Sequence, residues 1–500
     1  MSVTIDDVLA TRNPASGAEV GRAAATSPDA VAAIVGRAGD AQAGWAARPW
    51  NERRMVLADW WRILGRDARA WSDLIRDEIG KPATEAMAGD LIPTLDALRW
   101  TVKRSGKLLA DERIGPSWQR WLLTPTGRLR WTPYGVVGIV GTWNYPLFLN
   151  AAPIAQALAG GNAVVWKPSE LAIACGEKLQ QSLEEAGTPP GLVAAVYGRG
   201  EVGQALLESN IDKAIFTGGV ETGRRVLSTL AGRGIPAVVE LSGFDPAIIL
   251  PDAPVESTVR AIVWSAFVGC GQTCVAVKRI IVVGDARPWA EAFAAEIRKL
   301  RVGDPAEPGV DVGPMINDPA RDRFDRTIRA TVEAGAEVLA GGEPLDRPGS
   351  FYAPTLLSAR SPEPERALEG AFGPVVLIRG VDDAEAAIAA ANSSNMALAA
   401  SVWGRDRRAA RAIARRIEAG MVCVNEAVAP TASASAPFGG FKSSGYGRTH
   451  GELGLREFVA PQVLFERSAG GFRPQLFPYS RGGTVDKFLG FYRWMFHRRA

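Results

Sequence analysis

Apolar positions along this chain change their period, and the change divides it. In Trp50 to Gly65 and Trp71 to Ile79 they recur every three or four residues with arginines on the other face, which predicts amphipathic helices. Residues 1 to about 115 therefore read as helical after a short extended start. From Pro133 onward short apolar runs take over, at 136–140, 163–166, 193–197, 213–216 and 237–241, with helical stretches between them. That alternation predicts a parallel sheet covered by helices on both faces. Residues 254 to about 430 repeat the scheme. Helices are expected near 255–267, 286–300, 318–334, 383–393 and 405–418, and strands near 279–283, 375–379, 399–403 and 421–425. The fold class is α/β. Between the helical start and the first strand, residues 117–132 read as a hairpin turning at Pro125 to Gly127.

One stretch imitates a membrane span, because Trp131 to Trp166 holds no charged residue. Pro133, Pro146 and Pro153, together with five glycines, punctuate it into shorter buried elements, so a span is not expected. The start of the chain carries two aspartates and lacks a basic segment followed by an apolar run, which argues against a secretory signal. A formal net charge of +3, with no basic stripe interleaved with aromatics outside the last few residues, gives no reason to expect nucleic acid. Four cysteines without paired or metal-ligand spacing suggest a reducing, cytoplasmic setting and no metal site. Only two histidines are present, His450 and His497, so a cysteine–histidine or serine–histidine hydrolase is disfavoured and another group must act as base.

Chemistry concentrates at turns. Cys274 follows Gly271-Gln272-Thr273 between a helical and a strand-like segment, where backbone N–H groups would lower a thiol pKa and favour the thiolate. The alternative is a buried structural cysteine. Gly198 to Gly203 matches G-x-G-x-x-G with Gly200 at its centre, and Thr217-Gly218-Gly219 opens another helix, with Gly223 one turn on. Either could set a phosphate on a helix N-terminus, and two in one sheet point to a dinucleotide. Lys167-Pro168-Ser169-Glu170 closes a strand, where Ser169 is a good N-cap and Lys167 and Glu170 are placed to hold ribose hydroxyls. A carboxylate there favours NAD over NADP, with NADP still possible.

These motifs together resemble the aldehyde dehydrogenase superfamily from about Asn13 to residue 460. The resemblance rests on Gly141-Thr142-Trp143-Asn144-Tyr145-Pro146, Lys167 to Glu170, Phe216-Thr217-Gly218, Glu240-Leu241-Ser242-Gly243, Gly271 to Cys274, Phe372-Gly373-Pro374 and the loop Pro437 to Arg448. Trp-Asn-Tyr-Pro, with Phe477 to Ser480, looks most like the branch acting on aromatic, medium-chain and fatty aldehydes. It implies that Cys274 attacks the aldehyde, Asn144 and the Cys274 N–H hold the oxyanion, and Glu240 activates the water that hydrolyses the thioester left after hydride transfer. Trp143, Lys167, Ser169, Glu170, Gly200, Gly218, Gly219, Gly223, Leu241 and Phe372 would contact the cofactor. Tyr145, Phe148, Phe267 and Thr273 would line a pocket for a hydrophobic aldehyde. Departures stand at Gly219, where a serine is usual, and at Gly370, where a ribose-binding glutamate is usual. Glu369 is the neighbour that would have to replace it.

The implied organisation is a doubly wound Rossmann-like NAD-binding domain (1–116 and 133–250), a second α/β catalytic domain (251–430) and a small β element for oligomerisation (117–132 and 455–470). Residues 471–500 form a tail with an amphipathic helix, expected to dock on its own subunit or a neighbour, or to touch a membrane surface. A homodimer or homotetramer is expected. The competing readings are a CoA-acylating dehydrogenase, disfavoured by Glu240, and a catalytically weak binding or membrane-associated scaffold.

Overall fold

Where the apolar runs shorten, strands form. The computed structural model describes residues 8–114, 126–466, 478 and 485–496. It separates into a large unit, Met1–Leu108 with Pro133–Val459, and a small one, Leu109–Thr132 with Ala460–Ala500.

The large unit holds two sheets. The first has six strands in the order Gly445–Tyr446, Ala237–Glu240, Lys213–Thr217, Val136–Val140, Ala163–Lys167, Val193–Ala195, parallel except at the Gly445 edge. Chain order therefore reverses between Val136–Val140 and Lys213–Thr217. In open sheets of this kind a ligand crevice opens at the carboxyl ends of the strands flanking such a reversal. The second sheet has seven strands, in the order Glu337–Ala340, Thr355–Ser358, Val375–Val381, Val277–Val283, Asp245–Ile249, Ala399–Trp403, Met421–Val424. Its Glu337 edge is antiparallel. Asp245–Ile249 differs from the sequence reading, which ran the first domain to residue 250. Its Ala-Ile-Ile run pairs in parallel with Val277–Val283 and Ala399–Trp403, so the handover comes at Ser242–Phe244.

Helices Trp50–Arg66 and Ala68–Ile79 form where the three-and-four spacing placed them. Two of their tryptophans are core. Trp60 and Trp71 are fully buried, and the Trp60 indole donates to Ser182 Oγ at 2.9 Å. A buried indole N–H usually finds such a partner, as Trp60 does and Trp71 does not.

In the small unit, Val459–Glu466, Thr126–Pro133 and Glu112–Arg113 make a three-stranded sheet. Gly127 lies inside a strand rather than in a turn, its carbonyl accepting from the Ile114 N–H at 3.0 Å. The rest of the expected hairpin turn falls outside the described residues. Helix Val485–Phe496 follows, with Phe488, Tyr492 and Trp494 exposed. Among the described residues no helix is long and apolar enough to cross a membrane.

Candidate active site

The thiol is presented by a strained turn. Helix Val255–Phe267 ends, and Gly269, Cys270 and Gly271 all take left-handed backbone angles before Gln272-Thr273-Cys274. Gly271 could not carry a side chain, since a Cβ would lie 2.2 Å from the Gly373 carbonyl oxygen. Lys278 fastens the turn from beneath, donating to the carbonyls of Gly271 (2.8 Å) and Gly373 (2.6 Å). The Gly-Gln-Thr-Cys and Phe-Gly-Pro segments are thus clamped to one buried amine. Its burial pulls the Lys278 pKa down to about 7.

Two cavities meet at Cys274. One is lined by Thr142, Trp143, Asn144, Thr217, Gly218, Gly219, Glu240, Leu241, Gly370 and Phe372. It sits where the sheet reverses its order. The other is lined by Tyr145, Phe148, Thr273, Trp264, Phe438 and Glu85, among others. Cys274, Phe438 and His450 belong to both. A half-buried thiol therefore faces a crevice of about 310 Å³ and an apolar pocket together.

Asn144 is buried, its amide nitrogen donating to the Gln272 carbonyl at 3.0 Å while its oxygen accepts from Thr142 at 2.9 Å. An amide nitrogen has two hydrogens, so one stays free for an oxyanion. The loop carrying Asn144 is held from below. Lys81 and Asp90 form a buried ion pair at 2.7 Å, and Asp90 accepts from the N–H groups of Leu147 and Phe148 at 3.3 Å each. Lys81 also stands over the Tyr145 ring, 3.4 Å from its centre. Since the Thr273 hydroxyl donates to Val268, the Tyr145 hydroxyl donates to Thr273, at 2.8 Å.

Glu240 ends its strand with both carboxylate oxygens buried and without a hydrogen bond; the Thr449 hydroxyl is near but outside bonding geometry. Burial, partly offset by Arg448, pushes its pKa up to about 8. The carboxylate is positioned through its backbone. Gly445 pairs with Glu240, and Ser444 donates from its hydroxyl to the Ser242 carbonyl at 2.8 Å. Only glycine fits at 445, where a Cβ would meet the Val239 carbonyl at 1.8 Å. The glycine-serine loop thus forms the edge strand that fixes the carboxylate.

Several expectations need correction. The Cys274 pKa is not lowered. Burial first, then Asp245 and Glu240, push it up to about 12, outweighing the N–H groups of Cys274 and Val275 that lower it. Phe267 does not line the pocket. It is 2% exposed and packs in the core of the seven-stranded sheet with Ile262 and Phe293. One turn earlier Trp264 projects to the other side, 46% exposed, and lines the pocket. His450 lines both cavities and stacks on Phe148 at 4.9 Å. Its burial draws its pKa down to about 4, so it is neutral. Glu369 does not fill the gap at Gly370; its carboxylate accepts from Ser394 at 3.1 Å, while Gly370 lines the crevice.

Other residues fall at or outside the crevice. Trp143 and Phe372 meet edge to face at 5.8 Å. Gly219 has open space where a side chain would be, but a Cβ at Gly223 would meet Leu241 at 2.4 Å, so Gly223 serves close helix–strand packing. Gly200 heads helix Gly200–Glu208 outside the crevice lining. Lys167, Ser169 and Glu170 also lie outside that lining, at the end of their strand. Lys167 reaches Glu170 at 3.1 Å, and Ser169 Oγ accepts from Leu171 at 3.2 Å. Sequence reasoning missed Thr84, Glu85 and Ala88, which come from the helical start, because no local motif marks them.

A family model described as "Aldehyde dehydrogenase family" matches residues 3–464. The chain is 33% identical to a 4,4'-diapolycopene aldehyde oxidase from Methylomonas sp, over 97% of this chain and 90% of that protein. It is equally 33% identical to a betaine aldehyde dehydrogenase from Cereibacter sphaeroides, over 90% and 92% of the two. Among solved structures it resembles a Mycobacterium tuberculosis aldehyde dehydrogenase complexed with NAD+, with a TM-score of 0.89 and 30% identity over 94% of this chain and 97% of that one. A succinic semialdehyde dehydrogenase from Streptococcus pyogenes in complex with NADP+ gives a TM-score of 0.87 at 25% identity, over 92% and 100% of the two.

Proposed function

The chain belongs to the aldehyde dehydrogenase family and is an NAD(P)-dependent enzyme, and within that activity we propose that it oxidises an uncharged, hydrophobic aldehyde to its carboxylic acid. One observation carries the choice of substrate. Beside Cys274 the pocket wall is aromatic and aliphatic, and Glu85 is its one carboxylate, with no lysine or arginine in the lining among the described residues. An aldehyde bearing its own carboxylate would find no cation and would face an acid.

The crevice fits a dinucleotide. It lies at the sheet's reversal, Gly219 leaves open space at a helix start, and Trp143 and Phe372 form an aromatic wall. Bound there, the cofactor supplies a hydride acceptor and a positive ring beside the thiol. Lys167 and Glu170 would hold the adenosine ribose, and the Glu170 carboxylate, repelling a 2′-phosphate, favours NAD. Cys274 loses its S–H proton to solvent water as the sulfur adds to the carbonyl carbon, giving a thiohemiacetal oxyanion that the free Asn144 N–H and the Cys274 N–H stabilise. Loss of hydride leaves a thioester. Glu240 then takes a proton from water as that water attacks, and Cys274 departs as thiolate.

A second reading has its own support. Glu85, whose pKa burial pushes up to about 7, stands among Tyr145, Phe148, Trp264 and Phe438, a setting suited to a quaternary ammonium. Hexanal, benzaldehyde, betaine aldehyde and succinate semialdehyde, each with NAD and with NADP, decide between them. The first reading expects kcat/KM for hexanal at least a hundredfold above that for succinate semialdehyde, and no activity in Cys274→Ala. A preference for succinate semialdehyde overturns it. Betaine aldehyde as best substrate, lost in Glu85→Gln, establishes the second. The same proposal includes a cytoplasmic homo-oligomer using the exposed Val463 and Phe465 strand, and peripheral membrane contact through Val485–Phe496. Gel filtration and vesicle sedimentation test these.

A further inference from the structure

One wall of the substrate pocket carries small side chains. Ala88 sits on a π-helical turn, Ala86–Leu91, and Ala429 and Ala432 on a short 3-10 helix, Ala429–Ala432. All three line the pocket that reaches Cys274, which has a volume of about 280 Å³. They also line a second, outer groove of about 540 Å³, whose other side is Trp61, Ile92, Pro93 and Leu95. These three alanines are therefore common to the linings of both spaces. Ile92 is 57% exposed in the groove, a large apolar side chain left open to water. Beyond it Asp96 and Arg99, paired at 3.3 Å, end the apolar surface.

The wall is also built in an unusual way. A π-turn widens a helix by one residue and recurs at functional sites. Across from it Val428, a β-branched residue, is held in the left-handed region (φ 58°). Such strain persists only where surrounding contacts enforce it. Here the Thr431 N–H and hydroxyl both donate to the Val428 carbonyl.

We propose that the outer groove is a distal subsite for the far end of a long, flexible apolar chain, whose aldehyde end lies at Cys274 and whose middle crosses Ala88, Ala429 and Ala432. This rests on the hydrophobic-aldehyde reading above. Its occupant is the substrate itself because the groove shares Ala88, Ala429 and Ala432 with the pocket that reaches the thiol, and its apolar floor stops at a charged rim.

The test is kinetics on straight-chain aldehydes from hexanal to hexadecanal, with wild type and Ile92→Asp. Ile92 is exposed, so the substitution leaves the fold and the thiol pocket intact. Each methylene moved from water onto apolar surface improves binding by about fourfold at full burial. Wild-type kcat/KM is expected to keep rising after the inner pocket fills. Ile92→Asp is expected to raise KM for hexadecanal at least tenfold, leaving kcat and all hexanal constants within twofold. Ala88→Phe, which puts a large ring on the wall the two spaces share, is expected to cut off the same long chains. If the chain-length profiles of both variants superimpose on wild type, the subsite is refuted while the enzyme reading stands. Wild type that oxidises none of the series refutes the hydrophobic-aldehyde reading and the subsite with it.

Discussion

Replacing Glu240 by glutamine removes a proton acceptor and leaves its shape. The carboxyl is buried, makes no hydrogen bond, and has its pKa pushed up to about 8. Raised in this direction, it is mostly protonated at neutral pH and becomes competent as a base as pH rises. With that value about a tenth is ionised at pH 7 and about nine-tenths at pH 9, so hydrolysis of the thioester should quicken about tenfold across the interval. In Glu240→Gln, attack by Cys274 and hydride loss still proceed, so a burst of one NADH per active site survives. Steady turnover should fall by roughly 10²–10⁴, the usual worth of a positioned base, and its alkaline rise should vanish. Stopped-flow absorbance with hexanal from pH 6.5 to 9.5 resolves both phases. Because neither oxygen of Glu240 is bonded, the variant should keep its thermal midpoint, which separates chemistry from folding. Turnover within threefold of wild type, with the same pH profile, would remove Glu240 from the mechanism.

Asn144→Ala should lower kcat by about 10²–10³ with little change in KM, since its free N–H meets charge that exists only after attack; steady-state kinetics checks this. Lys81→Met leaves Asp90 buried without its cation beneath the Asn144 loop, and should cost about 3–5 kcal/mol in urea unfolding. Its kcat should fall too, as Tyr145 loses the ammonium beneath its ring.

Local order was legible in the residues. Periodicity located most strands of both sheets, because a strand buried on two faces must be apolar along its length and a surface helix must not. Cys274 stood out at its Gly-Gln-Thr turn, whereas Asn144 and Glu240 were marked only by the resemblance of their motifs to the aldehyde dehydrogenase superfamily. The strand Asp245–Ile249 escaped because its short apolar run follows another almost without a break, and only pairing shows to which sheet it belongs. Phe267 and Trp264 were likewise indistinguishable as aromatics on one helix; the neighbouring sheet decided which was core.

Charge was decided by tertiary structure. A turn rich in N–H groups suggests a lowered thiol pKa, yet Asp245 and Glu240 are brought beside Cys274 in a site with little water, and the balance reverses. The alanine wall of the pocket was equally hidden, for Ala88 and Ala429 are more than three hundred residues apart and carry only methyl groups. Composition and period determine which segments must be buried and in what form. Which buried segments face each other, and what electrostatic surroundings they make for one sulfur, depends on contacts between residues far apart in the chain, and no local pattern encodes those.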